Sequence, residues 1–147
     1  MKTNLETSYN QLKTLFAKTR YTLISATLGW LGSINIALIG IYVTTLYLQL
    51  AVLSRSFLAR AYIMGGIATA STLALFFGSY LICRDRSGRG GALNLAGGVV
   101  TLILCYYFTS TFPLLRQLEP IAYLLPVPAL ASSLLALFML KSRSQQI

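Results

Sequence analysis

The stretch CRDRSGRGGALN, residues 83 to 94, gathers charged side chains and glycines in a chain that has few charges elsewhere. Its basic residues are Arg84, Arg86 and Arg89, and the same segment contains three glycines. Guanidinium groups bind phosphate, and glycines let consecutive backbone N–H groups approach an anion at the start of a helix. The stretch therefore raises the possibility of a phosphate-binding loop.

Nucleotide binding is disfavoured, because the phosphate-binding loop of nucleotide hydrolases needs a lysine followed by serine or threonine, and the dinucleotide fingerprint needs a preceding strand. Neither feature is present here. Two interpretations remain open. Arg84, Arg86 and Arg89 could bind anionic lipid headgroups, since each basic residue near an anionic surface contributes about 1 kcal/mol. Alternatively, the stretch is a turn whose positive charge only sets the topology of the chain.

Other chemically active residues are scarce. The chain has no histidine, and its only acids, Glu6, Asp85 and Glu119, lie outside the apolar runs. Ion-coupled transport usually needs a carboxylate within the membrane, and haem or zinc sites commonly need histidine. Cys83 and Cys105 are expected to lie too far apart to form a disulfide. We predict no enzyme activity and no cofactor.

The composition indicates a membrane protein of one domain. Hydrophobic residues make up 56% of the 147 residues and charged residues only 10%, whereas a soluble domain carries about a quarter charged residues. Four uncharged runs are each long enough to cross a bilayer, which takes about 20 helical residues. We therefore predict an all-α membrane protein with four transmembrane helices in a domain of residues 21–140. The predicted spans are about 31–53, 61–83, 92–112 and 121–140.

The first apolar run is longer than one crossing, and we predict a single long helix with Trp30 at the interface. Upstream, apolar residues recur at helical spacing, bordered by lysines and Arg20. Residues 1–20 are accordingly predicted to form a short amphipathic segment that lies on the membrane surface. Its apolar stripe comprises Leu5, Tyr9, Leu12, Leu15 and Phe16.

The distribution of basic residues predicts the orientation, because lysine and arginine accumulate on the cytoplasmic side. With the N-terminus inside, nine of the 12 basic residues face the cytoplasm. The prediction is a multi-pass protein of the cell membrane with both termini cytoplasmic and a cytoplasmic tail of residues 141–147. The 83–94 stretch then becomes the cytoplasmic loop.

Small residues repeat every four positions on the helices, and such repeats let helices approach closely in lipid. Two interpretations are open: internal packing of a four-helix bundle, or a face that contacts a partner subunit, most plausibly the first stripe. The predicted partner-packing residues are Ser25, Gly29, Ser33 and Ala37 on the first helix and Gly66, Ala70, Ala74 and Gly78 on the second.

The fourth crossing contains Pro126 and Pro128, which remove backbone hydrogen bonds and clash with the preceding turn. We expect this crossing to be kinked or unwound, as in the broken helices of transporters. A small cavity beside it could be lined by Asn35, Tyr106, Tyr107 and Tyr123.

The predicted function is a non-catalytic accessory or structural subunit that packs against other membrane subunits of a larger complex, such as an energy-converting one. The predicted partners are those subunits and anionic lipids, with no nucleic acid. The alternative is a small transporter or channel that uses the proline-kinked fourth helix.

Overall fold

The computed structural model describes residues 2–112 and 119–144, and every regular element in those ranges is a helix. Four stretches are long and apolar enough to cross a membrane: Thr19–Leu50, Arg55–Cys83, Ser87–Thr111 and Ala122–Lys141. The predicted class, an all-α protein with four such helices, is confirmed. The helices are α1 (Lys2–Leu50), α2 (Arg55–Cys83), α3 (Ser87–Thr111), α4 (Glu119–Leu124) and α5 (Val127–Ser144).

The long helices form an antiparallel bundle in which each packs against two neighbours. α1 contacts α2 and α5, α3 contacts the same two helices, and α4 lies against α3. Short connections explain this order, because helices joined by a few residues pack as antiparallel neighbours. Ala26, Ile82 and Ala136 meet near one end of the bundle. We call this the basic end, since it holds Arg20, the α2–α3 turn and Lys141.

α1 runs without a break for 49 residues, so the first apolar run belongs to a single helix. The described contacts of α1 with the bundle begin at Thr22 and Ser25, earlier than the predicted crossing at 31. From Leu15 to Tyr21, every side chain that the structure describes is exposed. Most of the predicted amphipathic stripe lies outside the residues whose side chains are described, and an amphipathic N-terminal helix is not shown.

The α2–α3 turn is short because it uses a hydrogen-bonded helix ending. The N–H of Arg86 donates to the carbonyl of Leu81 at 2.9 Å, and that of Asp85 donates to Ile82 at 3.1 Å. This pair of bonds requires a left-handed residue between the two helices, a position that usually takes glycine. Asp85 occupies it with a φ of 65°, since aspartate tolerates this conformation better than most residues.

The fourth crossing is broken where the prolines predict. α4 ends at Leu124, and α5 begins at Val127. Pro126 is buried at the break, and Pro128 lies in the first turn of α5, where a missing N–H costs no helical hydrogen bond. The side-chain amide of Asn35 donates to the carbonyl of Leu125 at 3.4 Å. Neighbouring helices in membrane proteins commonly supply partners to carbonyls freed in this way.

α2 and α3 approach so closely that their backbones touch. A Cβ atom built on Gly90 would overlap the carbonyl oxygen of Gly78 and lie 2.9 Å from the backbone nitrogen of Ile82. The contacted atoms belong to a helix backbone and cannot rotate away. Glycine at position 90 is therefore explained by helix packing.

Gly90→Ala should force α2 and α3 apart and destabilise the protein by about 1–3 kcal/mol, the usual cost of overpacking. The matched control is Gly66→Ala, because a Cβ there meets nothing within 4 Å. Removing a helical glycine at an open position should stabilise by up to about 1 kcal/mol. Thermal unfolding of both variants in detergent checks this, and equal midpoints would contradict the close approach.

Candidate functional site

A cluster of polar side chains lies inside the bundle, with one residue from each long helix. Ser25 and Ser132 bridge α1 and α5 through reciprocal bonds: each hydroxyl donates to the other residue's carbonyl, at 2.8 and 2.6 Å. The amide nitrogen of Asn94 donates to the Ser132 hydroxyl at 2.7 Å and approaches the Ser79 hydroxyl at 3.5 Å. All four residues are fully buried. We call them the Asn94 cluster.

Two glycines create the space that the Asn94 cluster occupies. A Cβ on Gly29 would overlap the Ser79 hydroxyl and lie 2.6 Å from the Asn94 amide nitrogen. A Cβ on Gly78 would overlap the Asn94 amide oxygen. That oxygen has no hydrogen-bond partner among the described residues. The cluster is thus packed without room for a solute.

The Asn94 cluster contains only neutral groups. Serine becomes a nucleophile when a base takes its proton, whereas the Ser25, Ser79 and Ser132 hydroxyls donate to backbone carbonyls. The arrangement can hold the four long helices together at one level of the bundle. Each interhelical hydrogen bond in lipid adds about 0.6 kcal/mol, and at most about 1.7 kcal/mol, to the stability of the packed helices. Sequence reasoning missed Asn94. The available signal was an amide side chain within an otherwise apolar run.

The first predicted stripe faces the inside of the bundle. Ser25, Gly29 and Ser33 are buried, and Ala37 is half-buried. A Cβ on Gly32 would lie 2.9 Å from the Ala129 side chain, so α1 also approaches α5 closely. These contacts favour the internal-packing interpretation for the first three residues of the stripe.

The second predicted stripe is divided between the interior and the surface. Gly78 is buried and Ala74 half-buried, whereas Gly66 and Ala70 are exposed. The reason is geometric: four residues of an α-helix, at 3.6 residues per turn, advance the side-chain direction by about 40° beyond a full turn. Over three repeats the stripe rotates from the core to the outer face.

A groove of 510 Å³ runs between α1 and α2, and the exposed Gly66 and Ala70 are not among its lining residues. Its floor is the contact of Gly40 with Ala68, where a Cβ on Gly40 would overlap the Ala68 side chain. Small residues and threonines dominate the walls, so a neighbouring backbone could approach closely. We call this the α1–α2 groove. It is lined by Ala37, Gly40, Ile41, Thr44, Thr45, Gly65, Ala68, Thr69, Thr72 and Leu73.

A separate cavity of 310 Å³ lies beside the break in the fourth crossing. Asn35 lines it as predicted, but Tyr106, Tyr107 and Tyr123 are not among its lining residues. Tyr106 and Tyr107 are exposed. The remaining walls are almost wholly apolar: Leu38, Ile39, Tyr42, Val43, Cys105, Phe108, Thr109, Ala122 and Leu125.

The three predicted headgroup residues are exposed but differ in their surroundings. The guanidinium of Arg84 lies 5.3 Å from the centroid of the Tyr80 ring. Arg86 is the N-cap of α3, and Arg89 belongs to its first turn. Only Arg86 and Arg89 line a common groove.

Within the described residues, no three histidine, cysteine, aspartate or glutamate side chains are grouped closely enough to hold a metal ion. Comparisons with known protein families, with curated proteins and with solved structures find no match to this chain.

Asn94→Ala removes the amide that links α3 to α5, and we expect a loss of about 1–2 kcal/mol in unfolding free energy. In a double-mutant cycle with Ser132→Ala, the coupling energy should be about 0.6–1.7 kcal/mol. Thr69→Ala is the control, since that hydroxyl is exposed and bonds within its own helix. Additive effects of the two cluster substitutions would show that the bond does not stabilise the bundle.

Proposed function

We propose that the protein is a non-catalytic membrane subunit that packs against the helices of other membrane subunits in a larger complex. The observation that carries this proposal is the α1–α2 groove, whose walls are mostly small residues and threonines from both helices. The proposed occupant is a single transmembrane helix of a partner subunit.

The chemistry of the groove supports a helix as the occupant. Helices associate in lipid through close packing rather than through burial of apolar surface, because lipid tails are as apolar as leucine. Gly40 and Gly65 line the groove and present no side chain, so a partner backbone can come near. The hydroxyls of Thr45, Thr69 and Thr72 bond to carbonyls of their own helices at 2.8 Å each, so they carry no unpaired donor in lipid. Their free lone pairs can still accept bonds from a partner.

The proposed placement is the cell membrane, with both termini cytoplasmic and the basic end of the bundle inside. It is supported by the excess of arginine and lysine at that end. Of the three predicted headgroup residues, the exposed Arg86 and Arg89 are proposed to contact anionic lipids there, whereas Arg84 lies against the Tyr80 ring.

We further propose that the N-terminal segment lies on the cytoplasmic membrane surface. Two exposed apolar side chains support it: Leu15 and Phe16 are 58% and 67% accessible. Since α1 is continuous, this placement requires the helix to change direction near residue 20.

A spin label at Phe16 (introduced as Phe16→Cys after both native cysteines are replaced) should be shielded from a water-soluble relaxation agent when the protein is in vesicles, because the apolar face of a surface helix is buried by several ångströms. A label at Thr14 gives the comparison, because two residues of an α-helix place it on nearly the opposite side from position 16. Equal accessibility of both labels would contradict the surface helix.

Extraction in mild detergent followed by native gel electrophoresis should place the protein in an assembly much larger than its own 16.1 kDa. Thr45→Leu and Thr69→Leu, both at exposed positions that line the groove, should release it, because leucine would fill the groove and block close helix approach. Ala96→Leu is the matched control, since Ala96 is exposed on α3, away from the groove.

Migration of the unmodified protein as a monomer or homodimer would overturn the subunit proposal. An intact assembly in Thr45→Leu and Thr69→Leu would instead reject the α1–α2 groove as the contact. Both variants should unfold at the same temperature as the unmodified protein, so that lost assembly is not lost folding.

A second candidate, a small transporter or channel, is favoured by the break in the fourth crossing beside a cavity. The apolar walls of that cavity suit an apolar molecule better than an ion. Uptake of a labelled apolar solute into vesicles that contain the purified protein, faster than into protein-free vesicles and reduced by Asn35→Leu, would favour this candidate.

A further inference from the structure

The start of α3 borders an open groove of 420 Å³ at the basic end of the bundle. The groove joins a helix N-terminus, two arginines and an apolar wall. Its lining residues are Asp85, Arg86, Ser87, Gly88, Arg89 and Leu140.

The helix end in this groove has no side-chain cap. Arg86 stands at the N-cap position, which normally takes a side-chain acceptor such as serine or aspartate, and it makes no capping bond. The first turn of α3 contains no acidic residue. The N–H of Gly90 pairs with the Arg86 carbonyl at 3.0 Å. The amides of Ser87, Gly88 and Arg89 precede that bond and belong to the set that a helix cannot pair internally.

Ser87 supplies an independent observation. The residue is 2% exposed, and its hydroxyl has no hydrogen-bond partner. Buried hydroxyls in proteins are normally paired, so an orphan at the edge of a groove points to a missing acceptor. An anion with several oxygens would accept from this hydroxyl and from the helix amides together.

The charges around the groove favour an anion. Arg86 and Arg89 are exposed and line it, whereas Arg84 lies against the Tyr80 ring and is not a lining residue. The Asp85 carboxylate opposes an anion. Two guanidinium groups and the partial positive charge of a helix N-terminus still leave the site positive.

We propose that this groove binds the phosphate group of a phospholipid. The α3 amides and the Ser87 hydroxyl donate to the phosphate oxygens, Arg86 and Arg89 supply the counter-charge, and the apolar Leu140 lies beside the acyl chains. The proposal deepens the lipid contact given above and assigns it to Arg86 and Arg89, without Arg84. We assign the phosphate to a phospholipid rather than to free phosphate because the groove lies at the end of helices that are long and apolar enough to cross a membrane.

The test uses the full-length protein in a neutral detergent, with occupancy measured by native mass spectrometry. The probes are dioctanoylphosphatidic acid, dioctanoylglycerol as the phosphate-free control, and inorganic phosphate. Arg86→Gln and Arg89→Gln should each weaken binding of the phosphatidic acid about fivefold. Ser87→Ala should also weaken it, and Asp85→Asn should strengthen it, since asparagine keeps the left-handed conformation without the charge.

Arg84→Gln is the matched control, because it removes one positive charge at a position two residues before Arg86 and outside the groove. It should change binding of the phosphatidic acid less than about twofold. Equal losses in Arg84→Gln and Arg89→Gln would mean diffuse attraction and overturn the proposal. Binding of dioctanoylglycerol as tight as that of phosphatidic acid would overturn the role of the phosphate. Inorganic phosphate binding as tightly as the lipid would overturn the lipid assignment. None of these outcomes alters the native-gel test, so failure here is distinguishable from failure of the proposed subunit role.

Discussion

Close approach of helices at glycine and serine positions is the constraint on which this bundle depends. In lipid, burying a leucine between helices gains little over leaving it among acyl chains, so stability must come from short contact distances and interhelical hydrogen bonds. The structure concentrates both at the Asn94 cluster and at the Gly78–Gly90 contact. Large apolar side chains face outward on every long helix. Small and polar residues form much of the interior, together with a few large side chains such as Ile36, Tyr47 and Leu75.

The same constraint explains the surface that remains open. Where α1 and α2 touch at Gly40 and Ala68, the small residues on either side leave a depression instead of a ridge. The α1–α2 groove is thus a continuation of the packing that holds the bundle together. A partner helix in it would extend this mode of association to a second chain.

At the basic end, the α2–α3 turn pairs carbonyls at the end of α2 but leaves the start of α3 without a side-chain cap. The left-handed Asp85 lets the amides of Asp85 and Arg86 cap the carbonyls that end α2. Because Arg86 is then the first residue before α3, the following helix begins without a side-chain acceptor. The amides of Ser87, Gly88 and Arg89 precede the bond from the Gly90 amide to the Arg86 carbonyl, and two arginines and the Ser87 hydroxyl lie beside them. The glycines of the same stretch have another role, since Gly90 and Gly91 lie against α2 and α5.

The sequence by itself determined the features that depend on local composition. Four apolar runs were long enough to cross a bilayer, the prolines broke the fourth crossing, and the arginines marked a turn. It could not determine which small residues face the interior, because a four-residue repeat rotates around a helix and one stripe can be buried at Gly78 and exposed at Gly66. Only the tertiary structure decided that, and only it placed Asn94 against Ser79 and Ser132 of two other helices. Such contacts depend on the relative rotation of helices far apart in the chain, which no local pattern encodes.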